Sequence, residues 1–138
     1  VIKWTHIILH HSLTEDSQTV SWNAIRKYHL SKGWYDIGYH AGIELVGDEY
    51  VIMAGRPLNM QGAHTKGMND KALGFCFVGN YDLTSPPAAM LVKAAAYIKG
   101  WMDELNIFSE NIHGHRDYAN KTCSGTKFDI PMFVELLR

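Results

Sequence analysis

The stretch Ile112–Asp129 reads I-H-G-H-R-D-Y-A-N-K-T-C-S-G-T-K-F-D. It gathers two histidines, Lys121 and the second of the chain's two cysteines into a short, turn-rich segment. His115 and Cys123 lie eight residues apart, long enough for a loop to wrap a tetrahedral ion. A third donor of the same kind, His10, stands near the other end of the chain. If the three act together, the two ends must meet. The remaining sequence is then a scaffold that joins them and shapes a groove above them.

Working outward, Thr5–His11 (T-H-I-I-L-H-H) reads as a strand. Alternation puts His6, Ile8 and His10 on one face and Ile7, Leu9 and His11 on the other. Residues 13–19 form a polar loop, and a helix is expected from about Ser21 to Lys32, stopped by Gly33. His29 falls on that helix's apolar stripe and reads as a core histidine. Tyr39–Leu45 and Glu49–Ala54 read as a hairpin around Gly47-Asp48. Tyr39 stands where a loop enters a strand, a common place for a site residue, although a core tyrosine fits the local pattern equally. Pro57–Lys71, with His64, Lys66 and Asn69, is too polar for core and suits a groove wall.

Leu73–Val78 is a near-continuous apolar run, expected as a strand covered on both faces. Thr84-Ser85-Pro86-Pro87 is read as a helix start with a hydroxyl cap. That helix should reach Leu105 and bury Leu91, Ala95, Ile98, Trp101, Met102 and Leu105. Ile112-His113 reads as a short edge strand, and Ile130–Arg138 as a terminal helix. The expected fold is α/β: a mixed central sheet flanked by helices, in one domain spanning residues 1–138.

Thirteen basic residues balance fourteen acidic ones, without a basic run, so no long-range field favours nucleic acid or anionic lipid. The longest apolar tract, Ala88–Leu105, is broken by Lys93 and Lys99 and does not read as a membrane span. No segment resembles a signal peptide. Cys76, within G-F-C-F-V-G, reads as a small buried hydrophobe, and its spacing from Cys123 does not imply a disulfide.

Zinc accepts imidazole nitrogen and thiolate, and a catalytic site leaves one position open for water. His10, His115 and Cys123 suit that description, although neither C-x-x-C nor H-E-x-x-H is present. Lys121, two residues before Cys123 in an extended segment, projects to the same side as the thiolate. A cation beside a metal is repelled, and one reason to keep it there is to stabilise an oxygen that gains negative charge. Two other readings of the donors stay open: a nucleophilic Cys123 without metal, or a closed structural zinc site completed by His11 or His113.

The segments I-I-L-H-H-S (7–12), G-W-Y-D-I-G-Y-H (33–40), A-G-R (54–56), G-A-H-T-K-G-M-N (62–69), G-F-C-F-V-G (74–79) and G-H-R-D-Y-A-N-K-T-C-S-G (114–125) together resemble the zinc-dependent N-acetylmuramoyl-L-alanine amidases. The likeness is to the small phage lysozyme (endolysin) type, in the superfamily that also holds peptidoglycan recognition proteins. It implies His10, His115 and Cys123 as zinc ligands and Tyr39 and Lys121 as catalytic partners. It also implies that His64 and Asn69 lie near the substrate groove; a groove that holds a polymer of sugar and peptide would use aromatic and polar loop residues, and Trp34 is expected among them. The family usually carries proline after the cysteine; here it is Ser124. The resemblance further implies a monomer acting on peptidoglycan, made in the cytoplasm of an infected bacterium and acting on the wall in the periplasm or outside. Superfamily members without the cysteine bind peptidoglycan and do not cut it.

Overall fold

The computed structural model describes residues 1–13 and 21–138. In chain order the elements are β1 (His6–His11), α1 (Ser21–Ser31), β2 (Ala41–Val46), β3 (Glu49–Ala54), β4 (Ala72–Phe77), α2 (Ala88–Leu105), β5 (Ile112–Gly114) and α3 (Ile130–Glu135). Single 3-10 turns lie at Ser109–Asn111 and His115–Asp117. The strands form one sheet in the order β3-β2-β4-β1-β5. The β2–β3 hairpin is antiparallel, whereas β2–β4, β4–β1 and β1–β5 are parallel. The sheet is therefore mixed, as the sequence implies. The expected loop over 14–19 lies outside the described residues.

Alternation sorts the core into two clusters. Ile7, Leu9, Leu73, Phe75 and Phe77 pack with Met90, Ala94 and Ile98 of α2, and with Phe128 and Phe133 at α3. Rings interlock there: Phe77 meets Phe128 at 4.8 Å and Phe133 at 5.6 Å, both edge to face. A smaller cluster joins Cys76 and Val78 to Trp22 of α1 and to Ile37. Trp22 sits so close to β2 that a Cβ on Gly42 would meet its ring at 2.3 Å. The start of α1 rests on a buried carboxylate: Glu44 of β2 accepts the Trp22 N–H at 3.1 Å.

Helix ends follow local rules with one exception. Gly33, at φ +88°, takes the left-handed turn after α1, and Asn106, at φ 62° and ψ 45°, does the same after α2. The hydroxyl cap expected before α2 is not there. Pro87 is the capping residue, at φ −61° and ψ 147°, and no side chain caps the helix. The reason lies in the Pro86-Pro87 pair: a residue before proline is pushed out of the helical region, so the first turn cannot begin upstream of Pro87. Thr84 and Ser85 are then too early to reach it. The terminal helix is also shorter than expected, ending at Glu135; Asp129 caps it by accepting the Met132 N–H at 3.0 Å. None of the described helices is long and apolar enough to cross a membrane.

Candidate metal centre

β1 and β5 are neighbours in register, Ile7 beside Ile112 and Leu9 beside Gly114. Their carboxyl ends therefore bring the two ends of the chain together, the usual place for a crevice in an open α/β sheet. His10 lies near the end of β1, His115 begins the turn after β5, and Cys123 follows on the next loop. Their ligand atoms all lie within 4.8 Å of one another. Cys123 Sγ is 3.7 Å from His10 Nδ1. A tetrahedral zinc ion separates its sulfur and nitrogen ligands by roughly 3.5 Å, close to the Cys123–His10 separation, and the donor set suits the ion in its chemistry.

The cysteine loop is held from several sides. The Arg116 N–H donates to the Cys123 carbonyl at 2.6 Å. The Arg116 guanidinium donates to the carbonyls of Gly125 and Phe128, at 2.6 and 3.1 Å. Asp82 accepts from the Thr122 hydroxyl at 2.9 Å and the Thr126 N–H at 2.8 Å. The loop with Ser124 in place of the family's proline is thus anchored by Arg116 at its own start and by Asp82 from far away in sequence. The backbone N–H of His11 also points at the sulfur, 3.3 Å away.

Electrostatics favour neutral imidazoles. Burial, then the neighbouring His64 and His115, hold His10 well below the usual histidine range. Burial, followed by the Lys121 charge, lowers His115. A neutral imidazole is the form that binds metal. Burial pushes the Cys123 thiol up to about 11, against the pull of the His11 N–H and of Lys121. A metal that takes this sulfur as thiolate must displace its proton.

The donors open into a cavity of about 740 Å³. Tyr39, His64, Trp34 and Lys121 line it together with His10, His115 and Cys123. The Tyr39 ring stands 5.1 Å from that of His10, and its hydroxyl hydrogen-bonds the Cys76 thiol. Burial, then the two cysteines, raise this phenol well above its ordinary range, so it is a proton-bearing donor. The Trp34 ring is tilted against that of His29 at 4.6 Å and lies under the Lys32 ammonium at 4.3 Å.

Asn69 is not among the lining residues. Its side-chain oxygen turns back to accept the N–H groups of His64 and Thr65, each at 2.9 Å. His64 lies over β4: a Cβ on Gly74 would meet its ring at 2.6 Å, and one on Gly62 at 2.7 Å. Burial lowers the His64 pKa to about 3. His11 also lines the cavity, but its Nδ1 is engaged elsewhere, accepting the Tyr81 N–H at 3.1 Å, and His113 pairs with Asp117 at 3.2 Å. Neither belongs to the described donor group. His29 takes the role expected of it, accepting the Gly38 N–H at 2.9 Å, and it also reaches the cavity wall. Arg116, Asp82 and Thr65 were not singled out from sequence, because each acts through a contact that only the folded chain makes.

A mixed sheet here carries a His–His–Cys donor set that could hold a metal ion and that faces a wide groove. The chain matches the Amidase_2 family, N-acetylmuramoyl-L-alanine amidase, over residues 2–126, and belongs to it. The endolysin of Escherichia phage T7 is 41% identical over 141 residues, covering 94% of this chain and 84% of the endolysin. Among solved structures, the N-acetylmuramoyl-L-alanine amidase LysC from Clostridium intestinale URNW matches with a TM-score of 0.85 and 25% identity, covering 99% of this chain and 86% of LysC. Bumblebee peptidoglycan recognition protein SA matches with a TM-score of 0.82 and 31% identity, over 96% of this chain and 81% of that one. The chain is of the endolysin type within the superfamily that also contains the peptidoglycan recognition proteins.

Proposed function

We propose that this protein is a zinc-dependent peptidoglycan hydrolase whose residues 1–138 form one catalytic domain. It cuts the amide that joins the lactyl group of N-acetylmuramic acid to L-alanine of the stem peptide. It acts as a monomer on the host wall during lysis by a phage, after synthesis in the infected cell. The observation that carries this reading is the convergence of His10, His115 and Cys123 at the mouth of the groove, within 4.8 Å of one another. Membership of the amidase family supports the bond, and the endolysin relatives support the lytic role.

Bound by these three residues, zinc supplies a water activated as a nucleophile at neutral pH and a positive charge beside the carbonyl oxygen. The groove holds the glycan and stem peptide, with Trp34 as an apolar wall. Lys121 offers its ammonium to the carbonyl oxygen as that atom gains negative charge. Tyr39, kept protonated by burial, orients the reacting groups by hydrogen bonding and assists proton delivery to the leaving amine. The carbon–nitrogen bond breaks, the acyl group takes hydroxyl from water, and the amine leaves with the proton.

The test is to incubate purified cell wall with the protein and measure new L-alanine amino termini, with and without a chelator. Chelator-sensitive release is expected. Binding to wall without release would favour a recognition module instead, and chelator-insensitive release blocked by iodoacetamide would favour a nucleophilic Cys123.

A further inference from the structure

His64 reaches the donor group without belonging to it. Its Nδ1 is 2.9 Å from Nε2 of His10, and its Nε2 is 3.0 Å from the Ala72 carbonyl oxygen. A carbonyl only accepts, so the contact with Ala72 fixes the His64 proton on Nε2. Nδ1 of a neutral His64 then carries a lone pair, and only a proton on Nε2 of His10 makes the contact between the two rings a hydrogen bond. That proton leaves Nδ1 of His10 bare, and Nδ1 is the atom facing Cys123 Sγ. The Thr65 hydroxyl sits between the rings, 3.3 Å from His10 Nε2 and 3.0 Å from His64 Nδ1.

The surroundings are built to hold this chain of groups. Asn69 pins the backbone of residues 64 and 65, and glycines at 62 and 74 leave room for the ring. We infer that His64 is a positioning residue: it fixes His10 in the tautomer and ring orientation that presents Nδ1 to a metal ion. This rests on the zinc reading above and assigns His64 a role toward the metal rather than toward the substrate alone. Partners of this sort fix ligand tautomers, and their loss typically costs 10–100-fold in metal affinity.

His64→Phe keeps a flat ring over Gly74 and removes the acceptor; His64→Asn retains a carbonyl acceptor. Two measurements decide. Imidazole nitrogen NMR of the metal-free wild type should show His10 protonated on Nε2, and the Phe variant should lose that preference. Zinc and cobalt(II) titrations by competition should show weakening of roughly 10–100-fold for the Phe variant and recovery towards wild type for the Asn variant. A wild-type His10 protonated on Nδ1 would overturn the inference, and so would a Phe variant that binds metal as tightly as wild type. A wild type that binds no zinc would instead overturn the zinc reading itself. Should the Phe variant fail to fold, the wild-type tautomer and the Asn variant still decide.

Discussion

His10 and His11 are adjacent on one strand, yet they live in different chemistry. Both are almost fully buried. The pleat sends His10 toward His64, His115 and Cys123, and sends His11 toward the Tyr81 backbone on the side of α2. The side of the sheet beneath α2 and α3 is dry and crowded with rings. The α1 side gives part of its area to imidazoles, a thiol and a groove. One side is organised to hold the chain together and the other to present donors.

That contrast can be broken most severely at Cys123. Cys123→Ser should abolish tight zinc binding and amide cleavage, a loss beyond the roughly 10–100-fold that an outer partner costs. Metal analysis by mass spectrometry and the release of L-alanine termini check it. A variant that keeps stoichiometric zinc and full activity would remove the donor side of the comparison.

On the other side, Phe77→Ala should cost about 3–5 kcal/mol of stability, because it empties a ring-packed position in the dry cluster. Denaturant unfolding reads the loss. Zinc affinity of the folded fraction should hardly change; a parallel fall in affinity would show that the two sides are not separable.

Lys121→Met should leave zinc binding intact and lower kcat by roughly 10²–10³-fold, the usual loss for one donor to a developing oxyanion. Steady-state kinetics on a soluble muramyl-peptide substrate measures it. A change confined to KM would assign Lys121 to ground-state binding.

The smallest effect concerns pH. His40 is held below its ordinary pKa by burial, although the Met60 carbonyl, the next cause, raises it. The folded state therefore prefers it neutral, while the unfolded chain takes up a proton near pH 6.5. Its contribution to stability is present above pH 6.5 and is lost as the pH falls towards the lowered folded value. Unfolding of the metal-free protein as a function of pH should become easier on acidification, and His40→Gln should make that dependence shallower. An unchanged slope would mean that His40 titrates alike in the folded and unfolded chain.

Much of the architecture was legible because apolar alternation and helical stripes are local. Ile7 and Leu9 against His10, or Ile98 and Trp101 on α2, follow from periodicity alone. The donor residues were legible for a different reason: imidazole and thiol are scarce, metal-competent groups, and the resemblance joined their motifs in order. The start of α2 misled because two prolines overrode the capping hydroxyls. Asn69 was assigned to the groove on its polarity, and polarity does not reveal that an amide oxygen folds back on its own backbone. The anchoring of the Cys123 loop by Asp82 joins segments that meet only in the folded chain.

The imidazole of residue 64 occupies the space where a strand residue at 74 would normally put its own side chain. These two positions are locked as key and socket. A single methyl group added inside the sheet, at a residue that touches no donor atom, would evict the ring that steadies His10. The reactive end of this molecule can therefore be disarmed from within its most ordinary-looking strand.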